Sequence, residues 1–410
     1  MYSTMDFMDS AGSRQFQDRT PKAMTSNSGK PTLMLIGLGS LGTAVLELLA
    51  REPDIGRITV CSRNQGRGMA RCNVTRLGAV AQGYAPSIRF VALDLNSPGQ
   101  VVETVVREAP DIILNTVTMQ PWWMLDLLPP EAARPLQRAR FGVWLAPNFA
   151  LTLKLMRALR SANFSGFTVT APFPDVVNCV LAKLGLAAEC GVGNLDEIAA
   201  KVRLLAAERQ GVSPGQIRVE LVAHHALEAA AFGGLIDPVP PYFLRVYFGR
   251  EDISTSIHAS ALLLANYPLP PGPASSFLTA GCVARLVKAL ISDGETWMHA
   301  PSPHGLPGGY PVIVRRGSVE CAPIQGLSQA EAVAINERSH PFDGIERIEP
   351  DGTAVFCSED AAILRQTLHY DCDKLSPSEA EARAVELIAR FREYSAKVGV
   401  DLDRLPGNLI

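Results

Sequence analysis

No Cys-x-x-Cys pair occurs anywhere in this 410-residue chain, which removes the spacing that a zinc knuckle or a dithiol redox centre needs. The eight cysteines, Cys61, Cys72, Cys179, Cys190, Cys282, Cys321, Cys357 and Cys372, are scattered. Several lie in apolar strand-like stretches such as 58–61 and 354–357, so they read as buried free thiols of a reducing cytoplasm. Lys and Arg form no cluster and the net charge is −3, so a nucleic-acid footprint is missing. No apolar run reaches the ~18 residues that a bilayer crossing takes, which excludes a membrane role. Residues 1–30 are polar, aperiodic and without the apolar core of a secretory signal. They read as a disordered tail, with Met24 as an alternative start. What is present is 47% apolar against 19% charged residues, the balance of a soluble globular protein long enough for two domains.

One stretch organises the rest. Residues 31–49 read PTLMLIGLGSLGTAVLELL: an apolar run, three glycines in G-x-G-x-x-G spacing, then a helical pattern. The physical reading is a buried parallel strand turning sharply into a helix. Gly37 permits the tight turn, Gly39 lets a diphosphate approach the backbone, and Gly42 lets helix and strand pack closely. The first-turn N–H groups, reached through Leu38, Ser40 and Leu41, have no partner within the helix and face an anion with the positive end of the helix dipole. A second strand about 20 residues on completes the context for dinucleotide binding.

That second strand, 57–61, ends in Ser62-Arg63-Asn64. A carboxylate at its end would bond the adenosine ribose of NAD; Ser and Arg would instead bond and neutralise the extra phosphate of NADP. Arg67 and Arg71 lie close by. NADP is therefore expected rather than NAD. Strands over 90–95 and 111–114 follow, the latter opening into Asn115-Thr116-Val117, where the nicotinamide ribose is expected in a doubly wound sheet. The next loop carries Trp122-Trp123. Two adjacent tryptophans cannot both face one core, so one of them is expected to meet a substrate or form part of a lid. A helix over 149–161 and a strand over 166–170 complete a β/α alternation.

Beyond residue 176 the pattern changes. Helices are expected over 176–184 and 195–209, a strand over 217–222 running into His224-His225, and a Pro-rich loop region around 238–241 and 268–273. A helix over 277–290, paired strands over 305–315 and 318–323, and a long amphipathic helix over 376–398 follow.

In this order the pieces at 171–175, 191–196, 211–214, 217–225, 277–290 and 308–314, behind the loop at 37–42, resemble the lactate/malate dehydrogenase superfamily over about residues 31–340. The resemblance implies an α/β protein. A doubly wound parallel-sheet Rossmann domain would span 31–172 and bind NADP, and an α+β catalytic domain would span 173–410. It implies an oligomer, dimer or tetramer. It also places His225 on the family's proton-donating histidine, a role that imidazole suits because its unperturbed pKa of ~6.5 lets it give and take a proton near neutrality. The residue orienting that histidine would be Asp196 by the G-x-G-N-L-D match, or Ile198 when counted back from Gly211.

The family's two arginines have no counterpart. Ala199 stands at the substrate-anchoring position, with Lys201 as the nearby cation available to a substrate, and the mobile-loop arginine is replaced by the Trp122-Trp123 stretch. Ala or Trp cannot imitate a bidentate Arg–carboxylate pair. The expected function is an NADP-dependent dehydrogenase or reductase acting on a larger, less charged carbonyl or hydroxyl compound than lactate or malate. A catalytically silent NADP-binding sensor or partner subunit is the alternative. A metal-dependent, NAD-using glycosidase-like hydrolase with Cys179 and His225 as ligands ranks behind both, and no metal site is expected.

Overall fold

The protein is described here by a computed structural model that covers residues 29–234 and 238–402. The readings of residues 1–28 as a tail and of Met24 as a start lie outside the described residues. Six strands form one parallel sheet: β1 (Thr32–Ile36), β2 (Arg57–Ser62), β3 (Ile88–Ala92), β4 (Ile112–Asn115), β5 (Phe167–Thr170) and β6 (Cys190–Gly191). Their order is β3-β2-β1-β4-β5-β6, the doubly wound arrangement with its switch point between β1 and β4. The apolar run of β1 is explained by burial on both faces. Met34 and Ile36 pack into one core with the helix Leu145–Ser161, while Leu33 and Leu35 pack into another with the helices Ser40–Leu49 and Ser276–Ile291.

A second, antiparallel sheet comprises β7 (Ile217–Ala223), β8 (Tyr242–Phe248), β9 (Glu251–Asp252), β10 (Thr296–Pro301), β11 (Gly309–Arg315) and β12 (Ser318–Cys321). Its order is β10-β11-β7-β8-β9, with β12 hairpinned onto β11 as expected around Arg316-Gly317. β8 lies between the two Pro-rich stretches, where no element was expected. The prolines stop at Pro241, and YFLRVYF beyond them is free to pair along the whole of β7. A small third sheet joins β13 (Ile345–Ile348), β14 (Ala354–Phe356) and β15 (Lys374–Leu375).

Two features correct the expected boundary at residue 172. β6 completes the parallel sheet at Cys190–Gly191 by pairing with β5. The long C-terminal helix, Ala380–Lys397, folds back onto the helix Leu145–Ser161 and joins the core of the parallel-sheet unit. Phe391 is fully buried there, edge-on to Trp144 at 5.8 Å, and Tyr394 donates its hydroxyl to Ala132 O at 2.9 Å. Burying such a phenylalanine stabilises by roughly 1.5–3 kcal/mol.

The stretch Gly272–Ile291 is long and apolar enough, by length and composition, to cross a membrane. Half of it is buried inside the protein, where its helix packs on Ser40–Leu49 between the two larger sheets. The expectation that no unbroken apolar run reaches this length stands, because Arg285 and Lys288 interrupt the stretch without lowering its average much. All eight cysteines are free thiols, six of them buried.

Candidate active site

The glycine loop has the geometry its sequence requires. Gly37 sits at φ 105°, and a Cβ there would come within 2.7 Å of the Thr116 hydroxyl. A Cβ on Gly42 would stand 2.1 Å from Gly37 O, so this position admits no side chain. Gly39, the residue capping the helix Ser40–Leu49, has nothing within 4 Å of its would-be Cβ. That open space in front of unpaired first-turn amides is a cradle for a diphosphate. Leu38, Ser40 and Leu41 complete the turn, and Ser276 at the head of the neighbouring helix reaches Ser40 Oγ at 3.2 Å.

At the end of β2, Ser62 is half-buried and Arg63 exposed. Asn64 caps the helix Gln65–Ala81, accepting the Arg67 amide at 2.9 Å. This capping role differs from the one expected for Asn64; Ser62, Arg63 and Arg67 stand at the same strand end.

The end of β4 is also corrected in part. Asn115 is buried and its amide is spent internally, donating to Thr152 at 3.0 Å and Thr170 at 3.2 Å while its carbonyl accepts Val117 N. Thr116 donates to Ile36 O at 3.1 Å and packs on Gly37. These side chains brace the glycine loop: Asn115 has its polar groups spent, and the Thr116 hydroxyl gives its proton to that loop. Val117, half-buried past them, stays on the sheet edge.

His225 lies at the same carboxyl edge. It follows β7, and its ring rests against Phe173, just past β5, at 5.0 Å and against Phe141 at 5.1 Å. The loops after β1 and β5 flank β4, so they are two strand spacings, about 10 Å, apart. Phe173 holds a left-handed backbone at φ 43°, a conformation costing about 1–3 kcal/mol for a residue with a side chain. The strain sits where its ring meets His225. Asp175, in the next helical turn, is fully buried. It receives the His225 amide at 3.2 Å and the Asn194 amide at 2.5 Å, clamping the backbone beside the imidazole.

The ring itself is held by Asp343, whose Oδ2 lies 2.9 Å from Nδ1, while Nε2 is 3.6 Å from Glu228. Burial alone would lower the His225 pKa, but Asp343, then Glu228 and Asp175, carry it up to about 10. The imidazole is therefore a cation near neutrality. Burial and neighbouring Glu228 push Glu197 up to about 8, and burial lifts Asp175 to about 6 despite His225.

Asp196 does not orient His225. Its carboxylate accepts two bonds from Arg285, at 2.8 and 3.1 Å, and one from the His299 amide at 3.2 Å. Lys201 is corrected too. It is buried, with Nζ donating to Ala231 O, to Leu263 O at 2.9 Å and to Ala265 O at 2.5 Å. The ammonium ties helix ends together and has no free donor for a substrate. Cys179, the thiol considered as a metal ligand, is buried and pushed up to about 11 by that burial.

Both tryptophans were candidates for substrate contact, and the structure removes Trp123 from that role. Trp123 is 2% exposed, in the core, and Trp122 is 55% exposed. Trp122, Phe141, Trp144, Gln120 and Asn148 line a shallow recess of about 30 Å³. Phe141 is common to this recess and to the His225 contact. Sequence reasoning missed Phe141, Phe173, Glu228 and Asp343. Glu228 was detectable as the i+3 neighbour of His225 on one helical turn; Asp343 offered no more than the turn signal Pro-Phe-Asp-Gly.

No curated protein matches the chain in sequence. Residues 33–120 match the family described as the saccharopine dehydrogenase NADP binding domain. Among solved structures, malate dehydrogenase from Cryptosporidium parvum is similar with 14% identity and a TM-score of 0.54, over 76% of this chain and 96% of that one. Lactate dehydrogenase from Eimeria maxima, solved with NADH and oxamate, is similar with 12% identity and a TM-score of 0.53, over 78% and 93%. A lactate dehydrogenase from a Medee basin deep-sea metagenome gives 11% identity and 0.52, over 76% and 96%. Residues 33–120 are thus similar to an NADP-binding domain of the saccharopine dehydrogenase type, and the chain has the fold of the lactate and malate dehydrogenases.

Proposed function

We propose that the protein is an NADP-dependent dehydrogenase or reductase in which His225 exchanges a proton with the oxygen of a carbonyl or hydroxyl substrate. The observation that carries this reading is the His225 imidazole, its Nδ1 2.9 Å from Asp343, clamped at the carboxyl edge of the parallel sheet two strands from an open Gly37–Gly42 cradle. The unpaired amides behind Gly39 would hold the diphosphate, and Ser62, Arg63 and Arg67 the adenosine phosphate. When bound, NADP supplies or accepts the hydride. His225 Nε2–H would supply the proton to the substrate oxygen, with Phe141 and Phe173 shielding the ring from water.

The substrate is neither lactate nor malate. The charged groups acting on His225 are Asp343, Glu228 and Asp175, all acidic, and a 2-oxo-acid carboxylate placed among them would be repelled. Two arginines near these elements are committed elsewhere, Arg285 to Asp196 and Arg140 to Asp360. The exposed Trp122 ring offers apolar surface to a larger, less charged compound.

The experiment follows NADPH oxidation with a panel of aromatic and branched ketones and aldehydes, using the wild-type protein and His225→Asn. Turnover by the wild type, reduced about 10²–10⁴-fold in the variant while NADPH affinity is kept, supports the reading. NADPH binding with no oxidation by any compound, unchanged in the variant, would instead favour a sensor.

A further inference from the structure

We infer that Asp343, from the turn that begins the C-terminal sheet, is the positioning residue for His225, the role that the sequence resemblance assigns to Asp196. The inference deepens the proposed function and rests on His225 being the proton carrier.

Four observations support it. First, Asp343 Oδ2 is 2.9 Å from His225 Nδ1, at hydrogen-bond distance. Second, the competing donor is already excluded. His224 Nδ1 lies 3.5 Å from the same oxygen, but that nitrogen accepts the Ala226 amide at 3.3 Å. It therefore carries no proton, and His224 holds its hydrogen on Nε2, which has no partner in the core. Third, Asp343 is 3% exposed, and a carboxylate removed from water needs a counter-charge. The His225 cation supplies it and holds Asp343 below the ordinary carboxylate range against the effect of burial. Fourth, Asp196 is engaged by Arg285 and the His299 amide, and no contact joins it to His225 among the described residues.

The consequence is a fixed tautomer. Nδ1–H stays on Asp343, so Nε2 is the atom that faces Glu228 and the cleft. In reduction, the Nε2–H bond breaks and an O–H bond forms on the substrate oxygen, leaving a neutral imidazole whose Nδ1–H still rests on Asp343. Asp343 itself gains no proton. The groups facing His225 from the surrounding elements are Asp343, Glu228, Asp175, Glu197 and the neutral His224. Without Asp343 the ring would turn toward Glu228 and its two nitrogens would lose their distinction.

The test reads His225 directly and needs no substrate. Full-length protein with ¹⁵N-labelled histidine is titrated by NMR between pH 5 and 11 as wild type, Asp343→Asn, Asp343→Glu and Asp196→Asn, with His225→Asn assigning the signal. The wild type is expected to show Nδ1–H retained after Nε2 deprotonates and a midpoint well above that of an ordinary histidine. Asp343→Asn lowers the midpoint by about two units or more, Asp343→Glu restores part of it, and Asp196→Asn leaves it unchanged. With a turnover substrate, the basic limb of the kcat/KM profile moves with the midpoint. An ordinary midpoint in the wild type, or a shift in Asp196→Asn equal to that in Asp343→Asn, would overturn the inference. The wild-type spectrum decides even where a variant fails to fold. Absence of turnover with a correctly shifted titration would reject the proposed function and leave the pairing intact.

Discussion

Gly39 and Gly42 look alike in the motif and differ in what surrounds them, so substituting each by alanine separates cofactor binding from folding. At Gly39 nothing lies within 4 Å of the new methyl and the backbone is extended at φ −70°. Alanine is a poorer helix cap than glycine by roughly 0.5–1 kcal/mol, and restricting the unfolded chain returns about 0.4–1 kcal/mol. The net change in stability is within about 0.5 kcal/mol. The same methyl occupies the cradle, however, and pushes a diphosphate off the helix amides. Losing one charge-assisted hydrogen bond of about 1.5–3 kcal/mol weakens NADPH binding by about tenfold to a hundredfold. At Gly42 the methyl would stand 2.1 Å from Gly37 O, a backbone atom that cannot turn away. Overpacking there costs about 1–3 kcal/mol or more. Urea unfolding and NADPH fluorescence titration read the two effects on the same samples. Wild-type NADPH affinity in Gly39→Ala would refute the cradle.

Arg63→Ala is expected to weaken NADPH about tenfold or more and leave NADH binding unchanged, which paired titrations with the two nucleotides will check. Burial lowers His340 from 6.5 to about 4, so the unfolded chain takes up that proton first. The stability this residue contributes is present above pH 6.5 and drains as pH falls toward 4. Between pH 7 and 5 it amounts to about 2 kcal/mol. In urea unfolding at both pH values, His340→Asn is expected to lose that much less than wild type on acidification; equal losses would mean that His340 is not buried neutral.

Much of the cofactor end was legible because its physics is local. Strand, turn glycines and helix lie within 18 residues, and each glycine's role follows from its nearest neighbours. That the adjacent Trp122 and Trp123 cannot share one core was readable on the same ground. The proton-transfer end was not. Asp343 meets His225 across 118 residues of sequence, and the turn carrying it resembles any other Pro-Asp-Gly turn. Asp196 was misread because one buried aspartate at a helix start looks like another until its partners, Arg285 and His299, are known. Lys201 was misread because a sequence shows a charge but not the three carbonyls that surround it. Asn115 failed similarly: an amide at a strand end can face a ligand or lace two strands together, and here it does the latter.

The return of the helix Ala380–Lys397 onto Leu145–Ser161 bears on how the chain folds. The first parallel strand begins at Thr32 and the helix that finishes its core closes more than 340 residues later, with Phe391 against Trp144. Contacts of such sequence separation are slow to form, because loop closure must precede the gain from burial. During synthesis the nucleotide-binding half would emerge first and wait with one face of its helical layer uncovered. Its stable closure, and the arrival of Asp343 beside His225, belong to the same late event. A truncation near residue 340 would therefore remove the seal of the early half together with the partner of the imidazole.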